Sequence, residues 1–320
     1  MSSIFQVDAK VRAALDRGAP VVALESTIIT HGIPFPQNVN TARAVEADIR
    51  AAGAVPATIA VLDGKIRIGL GDADLDRLAR AQDVMKCSRA DVALAVATGR
   101  PGATTVAATM MAAHFAGIHV FATGGIGGVH QGAEDTFDIS ADLDELGRTP
   151  VCVVSAGAKA LLDIPKTLEV LETKGVPVIA YRTDELPAFW SRASGIKAPY
   201  RLDNPADIAA VIKTRSVFAD HGGVLVANPV PQADQIPREE MIGYIDAANA
   251  KAHMENIRGK EVTPFVLETI YQLTGGRSLD ANIALVRGNA RLAAQIAVAL
   301  TAAETAAPGA ASNAPNVAPA

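Results

Sequence analysis

Short apolar runs alternate with longer amphipathic segments along most of the chain. Nearly continuous apolar runs are typical of strands buried on both faces of a parallel sheet, and they occupy residues 20–24, 118–122, 151–155, 176–181 and 224–227. Helices are predicted at about residues 38–52, 72–82, 104–115, 238–257, 263–273 and 278–303. Asp63-Gly64 lies between two further apolar runs and predicts a tight hairpin, so at least one strand pair is antiparallel. The pattern predicts an α/β fold: a three-layer α/β/α arrangement with a mainly parallel mixed sheet.

Composition and charge narrow the possible functions. Hydrophobic residues make up 49 % of the chain and charged residues 20 %, an ordinary globular composition. The net charge of −5 leaves no broad basic surface, which argues against binding to a nucleic acid polymer. No apolar run reaches the ~18 residues of a membrane span, and residues 1–10 do not resemble a signal peptide. Cys87 and Cys152 are too few for a disulfide framework, so a cytoplasmic protein is predicted.

Residues 1–306 are predicted to form a single domain, because no change in composition divides them. Residues 307–320 are rich in alanine and proline and have no apolar period, so this tail is predicted to be disordered. All of the candidate functional residues precede the tail.

A glycine-rich stretch follows the apolar run 118–122. Its glycines are Gly124, Gly125, Gly127 and Gly128. Glycine permits positive φ and close backbone approach, so such a loop can offer consecutive N–H groups to an anion such as phosphate. The spacing matches neither the dinucleotide-binding nor the Walker pattern, and a purely structural turn is the alternative. Polar side chains close behind the loop, at Asp138, Ser140 and Asp142, favour a site.

Three more charged residues lie where a ligand would meet them. Glu25 directly follows the strand 20–24, and in open parallel sheets ligands bind at the carboxyl ends of strands. Lys86 precedes the capping box Ser88–Asp91, where the helix dipole makes a lysine unfavourable unless an anion is bound nearby. Lys159 follows the strand 151–155 through a glycine at a predicted helix start, where a lysine can act as an amine nucleophile. Solvated surface charge is the alternative for each of them.

In several stretches the sequence resembles one family, the pseudouridine-5′-phosphate glycosidases, also called indigoidine-synthase-A-like proteins. The matching segments lie in order along the chain: 21–29 (VVALESTII), 31–38 (HGIPFPQN), 53–59 (GAVPATI), 102–106 (GATTV), 121–130, 136–142, 156–159, 227–229 and 274–276. The resemblance implies reversible cleavage of pseudouridine 5′-phosphate to uracil and ribose 5-phosphate. It also implies an α/β/α fold, a divalent cation, typically Mn²⁺, and a homotrimer.

The same resemblance assigns roles to individual residues. It makes Lys159 the nucleophile, Glu25 the proton donor and Asp138 the metal ligand. The residues that it places against the substrate are Lys86, Val106, Ser140, Ala141 and Asp142.

The chemistry of the substrate agrees with these residue types. A C-glycosidic bond has no leaving oxygen or nitrogen to protonate, so a pair of carboxylates alone suits it poorly. When the ribose ring opens, Lys159 can capture its first carbon as an imine, and Glu25 can protonate C5 of the departing uracil. A metal with a single aspartate ligand suits a hard cation that keeps most of its waters.

Two further roles are predicted beyond those of the family. His130, next to the glycine loop, is predicted to donate to the phosphate, with a structural hydrogen bond as the alternative. Asn289 lies seven residues after Asn282 on one face of the last helix, and it is predicted to read the uracil edge or, if not, to bond within the protein.

Other classes of protein share parts of this pattern. A sugar or nucleoside kinase also needs a glycine-rich strand-end loop with acidic residues, but no Walker lysine is present. A class I aldolase shares the imine lysine without a uracil site. A non-catalytic protein that binds a phosphorylated ligand is the third alternative, and it would form no imine.

Overall fold

A computed structural model describes residues 4–218, 222–258 and 262–305. Within these residues the main sheet has eleven strands. They are β1 (Phe5–Val7), β2 (Val21–Leu24), β3 (Val55–Leu62), β4 (Lys65–Ile68), β5 (Met85–Cys87), β6 (Gly102–Thr104), β7 (Val120–Ala122), β9 (Cys152–Ser155), β11 (Val178–Tyr181), β12 (Tyr200–Leu202) and β13 (Val224–Ala227). The strands β8 (Val129–His130) and β10 (Leu162–Asp163) form a separate antiparallel pair. The predicted domain end at 306 and the tail 307–320 lie outside the described residues and stay predictions.

The strand order is β1-β4-β3-β2-β7-β9-β13-β11-β12, and β5 and β6 extend from β3. Along this order every neighbouring pair is parallel except the β3–β4 hairpin. The hairpin turns at Asp63-Gly64, both with positive φ, as the sequence predicts. The mainly parallel mixed sheet is therefore confirmed.

Helices cover both faces of this sheet. They are α1 (Ala9–Asp16), α2 (Gln37–Ala51), α3 (Asp72–Arg80), α4 (Arg89–Thr98), α5 (Val106–Ala116), α6 (Ala133–Thr136), α7 (Ala141–Arg148), α8 (Ile164–Thr173), α9 (Pro205–Arg215), α10 (Arg238–Met254), α11 (Val262–Leu273) and α12 (Arg277–Thr305). Side chains of α1, α4, α5, α7 and α8 pack into one core, and those of α2, α9, α10, α11 and α12 pack into the other. The predicted three-layer α/β/α arrangement is confirmed.

The central strand β2 shows why its sequence is apolar throughout. Val21 and Ala23 point into one core, whereas Val22 and Leu24 point into the other. Successive strand residues face opposite sides, so a strand covered on both faces needs apolar residues at every position. Burying each Val or Leu contributes roughly 1.5–3 kcal/mol.

The helix α12 is unusually long and apolar. By length and composition residues 277–303 could cross a membrane, but 56 % of the apolar window is buried inside the protein. The helix packs on β2, β7 and β9 and against α2 and α9. Its apolar face is thus accounted for by the core that it covers.

Two local expectations differ from the structure. His31 and Gly32, expected in a loop, complete a π-helical turn, Ile28–Gly32. No helix begins at Lys159; the chain there makes a turn into β10, and α8 begins only at Ile164. The parallel strands nevertheless deliver their polar residues to one edge of the sheet, because β2, β7, β9 and β13 all end there.

Candidate active site

Two adjoining cavities open at the carboxyl edge of the sheet. Both have Glu25, Thr27, Lys86 and Lys159 in their walls. The first, here called the apolar cavity, has a volume of about 70 Å³ and is otherwise lined mainly by Ile28, Ile33, Phe189, Leu267 and Leu285. The second, here called the polar cavity, has a volume of about 320 Å³ and is lined by polar groups that include Ser88, Thr105, His130, Asp138, Ser140 and Asp142. The structure thus brings most of the predicted site residues together around one carboxylate and two lysines.

Glu25 lies directly after β2 and is only 8 % exposed. One carboxylate oxygen, Oε1, accepts a hydrogen bond from the Thr123 hydroxyl, and the other, Oε2, accepts one from the Thr27 hydroxyl. These two bonds hold the carboxylate in one orientation at the junction of the cavities. An acid that transfers a proton needs this kind of fixed position.

Lys159 is held by its backbone against the glycine-rich loop. Its N–H donates to the Ile126 carbonyl at 3.0 Å, next to the β-bridge between Ile126 and Ala158. Gly157 has a φ of +85°, and a Cβ there would lie 2.8 Å from the Pro187 carbonyl oxygen, so only glycine suits this turn. Among the described residues no ion pair engages the Lys159 ammonium, and Lys159 lines both cavities.

Lys86 reaches the same junction from a different element. It lies in β5, where it pairs with Ala103 of the neighbouring strand β6. The capping box that follows is present as predicted, with the Ser88 N–H donating to the Asp91 carboxylate at 3.0 Å. The capping box therefore already supplies hydrogen-bond partners at the N-terminus of α4. Lys86 lines both cavities from β5.

Asp142 binds backbone N–H groups rather than facing the polar cavity freely. Its carboxylate accepts from the Ala107 N–H at 2.9 Å and from the Gly127 N–H at 2.8 Å. It therefore ties the start of α5 to the glycine-rich loop. The expectation that this loop cradles an anion is wrong at Gly127, because Asp142 already occupies that N–H group.

None of the glycines at 124, 125, 127 and 128 adopts a positive φ, and those at 125, 127 and 128 are needed for close packing. A Cβ on Gly127 would lie 2.9 Å from Asp142 Oδ2, and one on Gly125 would lie 2.7 Å from the Phe189 ring. Close approach of the loop to its neighbours is thus the reason for glycine here.

The starts of two helices also border the polar cavity. Val106 is the first residue of α5, and Ala141 is the first residue of α7, whose N-cap is Ser140. First-turn N–H groups have no partner within their helix and attract anions. Here Asp142 already accepts from the Ala107 N–H of α5, and the Ser140 hydroxyl accepts from the Asp142 N–H of α7. The Thr105 hydroxyl oxygen, in the same wall, is buried and has no hydrogen-bond partner among the described residues. Sequence reasoning missed Thr105, although its position between a strand end and a helix start was a usable signal.

His130 and Asp138 face each other across a short antiparallel segment. The His130 N–H donates to the Asp138 carbonyl at 3.0 Å, and both side chains line the polar cavity. The described residues contain no cluster of three or more His, Cys, Asp or Glu that could hold a metal. Any cation at Asp138 would therefore take most of its ligands from water and substrate.

For Asn289 the structure shows the second predicted alternative, hydrogen bonds within the protein. Its amide is fully buried, and it lines neither the apolar nor the polar cavity. Its Nδ2 donates to the Thr123 carbonyl at 2.8 Å, and its Oδ1 accepts from Asn228 at 3.0 Å. Because the protein already satisfies both ends of the amide, Asn289 is not free to read a base.

Asn282, seven residues earlier on the same helix, lies in the wall of the apolar cavity. Its Oδ1 is buried and has no hydrogen-bond partner within the described residues. An unpaired buried amide oxygen costs about 1–3 kcal/mol, so a ligand donor at this point would be favourable.

Comparison with known proteins places most of the chain in one family. The sequence model of the family described as indigoidine synthase A like protein matches residues 10–299. The chain is 64 % identical over 287 residues to the pseudouridine-5′-phosphate glycosidase of Methylobacterium nodulans, covering 90 % of this chain and 85 % of that protein. It is 61 % identical over 296 residues to the protein of the same name from Dinoroseobacter shibae, covering 92 % and 97 %.

Two crystal structures share the fold. The prealnumycin C-glycosynthase AlnA, in complex with ribulose 5-phosphate, superposes with a TM-score of 0.89 at 38 % identity, covering 96 % of this chain and all of that one. An indigoidine synthase A-like protein from Thermotoga maritima gives a TM-score of 0.84 at 34 % identity, covering 93 % and 96 %. The chain therefore belongs to the indigoidine synthase A-like family, which includes the pseudouridine-5′-phosphate glycosidases.

Proposed function

We propose that this enzyme reversibly cleaves the C-glycosidic bond of pseudouridine 5′-phosphate, giving uracil and ribose 5-phosphate, through an imine on Lys159. The observation that carries the proposal is the position of Lys159 and Glu25 in the wall shared by the two cavities. A substrate with its base in the apolar cavity and its phosphosugar in the polar cavity would have its scissile bond between this amine and this carboxyl group. The names of the relatives support the same reaction.

The proposed steps balance without an external oxidant or reductant. The Lys159 amine bonds to C1′ as the bond from C1′ to the ring oxygen breaks, and that oxygen takes up a proton. The nitrogen lone pair then forms the C=N bond while the bond from C1′ to C5 of uracil breaks. Glu25 gives its proton to C5, so neutral uracil leaves. Water hydrolyses the imine, which releases ribose 5-phosphate and restores the lysine.

The apolar cavity suits the flat uracil ring. Its walls supply apolar contacts, and Asn282 supplies an unpaired amide oxygen that can accept from a uracil N–H. We therefore assign to Asn282 the base-reading role that the sequence suggested for Asn289.

The polar cavity suits the phosphosugar. The phosphate would accept from the Val106 and Ala141 N–H groups at the starts of α5 and α7 and from the Thr105 hydroxyl. Lys86 would add positive charge, and His130, which also lines this cavity, would donate a hydrogen bond. In this arrangement Val106, Ser140 and Ala141 contact the substrate mainly through their backbone, while Asp142 holds two of the surrounding segments together.

A divalent cation such as Mn²⁺ would bind at Asp138. A single exposed carboxylate beside a phosphate-sized cavity fits a hard cation that keeps water ligands, and such a cation would offset negative charge on the substrate. We also expect a homotrimeric cytoplasmic enzyme, in line with the family resemblance.

The direct test combines product release with imine trapping. The protein is incubated with pseudouridine 5′-phosphate and Mn²⁺, and free uracil is measured by chromatography. In parallel, ribose 5-phosphate and borohydride are added, and the labelled lysine is mapped by mass spectrometry. Uracil release and a label on Lys159 are expected.

Two variants serve as controls for this test. Lys159→Ala should show neither uracil release nor the label. Lys166→Ala should keep both, because Lys166 is ion-paired with Glu134 and Asp163 outside the two cavities. Absence of uracil release from the wild-type protein would overturn the proposed function.

A further inference from the structure

We infer that Asn289 is a positioning residue for proton transfer by Glu25 and that it acts through Thr123; the inference rests on the proposed function. Asn289 is 0 % exposed, lies on α12 and is in the wall of neither cavity. Its Nδ2 donates to the Thr123 carbonyl at 2.8 Å and to the Gly124 carbonyl at 3.4 Å. Its amide thus binds the carbonyls of the two residues that directly follow β7.

Thr123 connects Asn289 to Glu25, the proposed proton donor. It is completely buried, its N–H donates to the Val154 carbonyl at 3.0 Å, and its hydroxyl donates to Glu25 Oε1. With the N–H bonded on one side and the carbonyl bonded by Asn289 on the other, the backbone orientation of Thr123 is set. The direction of its hydroxyl, and hence the position of Oε1, follows from that orientation.

The backbone at Thr123 needs these hydrogen bonds to hold one orientation. Thr123 is the last residue before the glycines, which have no side chains of their own to fix the backbone. Asn289 is itself fixed, because its Oδ1 accepts from Asn228 Nδ2 at 3.0 Å in the segment after β13. Glu25 is therefore linked through Thr123 and Asn289 to the ends of β7 and β13 and to α12.

The second oxygen of Glu25 offers an internal comparison. Oε2 is held by the hydroxyl of Thr27, which follows β2 and has no hydrogen bond to Asn289 among the described contacts. Loss of Asn289 should therefore misplace Oε1 and leave the Thr27 contact in place. A misplacement of about 1 Å at a reacting group lowers rates by roughly 100-fold.

The test measures kcat, KM and the rate of borohydride trapping for Asn289→Ala, Thr123→Val and Thr123→Ser. Asn289→Ala and Thr123→Val should each lower kcat by roughly 100-fold, because each misplaces the Glu25 carboxyl group. KM and the trapping of ribose 5-phosphate on Lys159 should stay near the wild-type values, since imine formation with the free sugar needs no proton at C5 of uracil. Thr123→Ser keeps the hydroxyl and should keep most of the activity.

Double variants show whether Asn289 acts through Thr123. Asn289→Ala combined with Thr123→Val should be no slower than the slower single variant, whereas Asn289→Ala combined with Thr27→Val should lose activity further, because both oxygens are then released. Equal losses in kcat and trapping for Asn289→Ala, or independent losses for the first pair, would overturn the inference. If Asn289→Ala fails to fold, the near-isosteric Thr123→Val and Thr123→Ser pair still decides whether the hydroxyl positions Glu25, and equal kcat for these two would overturn it.

An assay of the wild-type protein in the same experiment distinguishes failure of the Asn289 inference from failure of the proposed function. An active wild type with unchanged kcat in Asn289→Ala overturns the inference alone. A wild type that releases no uracil overturns the proposed function together with the inference.

Discussion

Substitution of Asp142 tests whether this residue holds the site together. The residue is 6 % exposed, and its carboxylate accepts two backbone N–H bonds, from Ala107 at 2.9 Å and from Gly127 at 2.8 Å. Hydrogen bonds to a charged group contribute about 1.5–3 kcal/mol each, and the start of α5 adds a favourable dipole interaction of about 0.3–1 kcal/mol. Asp142→Ala should therefore lower the free energy of unfolding by about 3 kcal/mol or more.

Asp144 on the same helix provides a matched control. Its side chain is 62 % exposed and pairs with Lys174 at the surface, so Asp144→Ala should cost less than about 1 kcal/mol. Asp142→Asn should lose at least one of the two bonds, since the new amide nitrogen would face another N–H donor. Equilibrium unfolding in urea, followed by circular dichroism, compares the variants through their midpoints.

Enzyme kinetics provides a second measurement of the effect of Asp142→Ala. The start of α5 and the glycine-rich loop both border the cavities, so Asp142→Ala should raise KM for pseudouridine 5′-phosphate while the protein remains folded at 25 °C. If Asp142→Ala unfolds at the same urea concentration as Asp144→Ala, the carboxylate does not hold these segments, and the reasoning from the two hydrogen bonds is refuted.

Four further predictions address the metal, the phosphate, the base and the buried thiol. Asp138→Ala should raise the Mn²⁺ concentration needed for half-maximal activity, and full wild-type activity after exhaustive chelation would remove the metal from the proposal. His130→Ala should raise KM for pseudouridine 5′-phosphate more than KM for unphosphorylated pseudouridine; an equal rise would indicate a structural role. Asn282→Ala should raise KM for uracil in the reverse reaction and leave ribose 5-phosphate trapping unchanged, whereas loss of both would contradict base reading. Burial raises the pKa of the Cys152 thiol to about 12, so at pH 8 iodoacetamide should label Cys152 only after unfolding, as checked by mass spectrometry.

The central strands and their mainly parallel orientation could be predicted from the sequence alone. The continuous apolar run at β2 indicated burial on both faces, and Asp63-Gly64 indicated the hairpin, because both signals depend on residues that are close along the chain. The position of Glu25 at a cavity also followed from local order, since parallel strands bring their carboxyl ends to the same edge. Lys159 was found in the same way, although the helix expected to begin there starts later.

Only the tertiary structure decided which asparagine faces the cavity. Asn282 and Asn289 share one face of α12 by helical period, so the sequence could not distinguish them. The packing of α12 on β2, β7 and β9 places the first in the cavity wall and the second beside the Thr123 carbonyl. Helical period specifies a direction around the axis, whereas the point along the axis that meets the site depends on contacts distant in sequence.

The use of Asp142 and of the glycine-rich loop was decided in the same way. The sequence indicated an anion cradle from the glycines and a carboxylate nearby, but the pairing of Asp142 with Gly127 links residues 15 positions apart and also recruits Ala107 from another helix. A backbone N–H can bind either a ligand or a protein carboxylate. Which of them it binds depends on the groups that folding brings within about 3 Å, and no local pattern in the sequence encodes that distance.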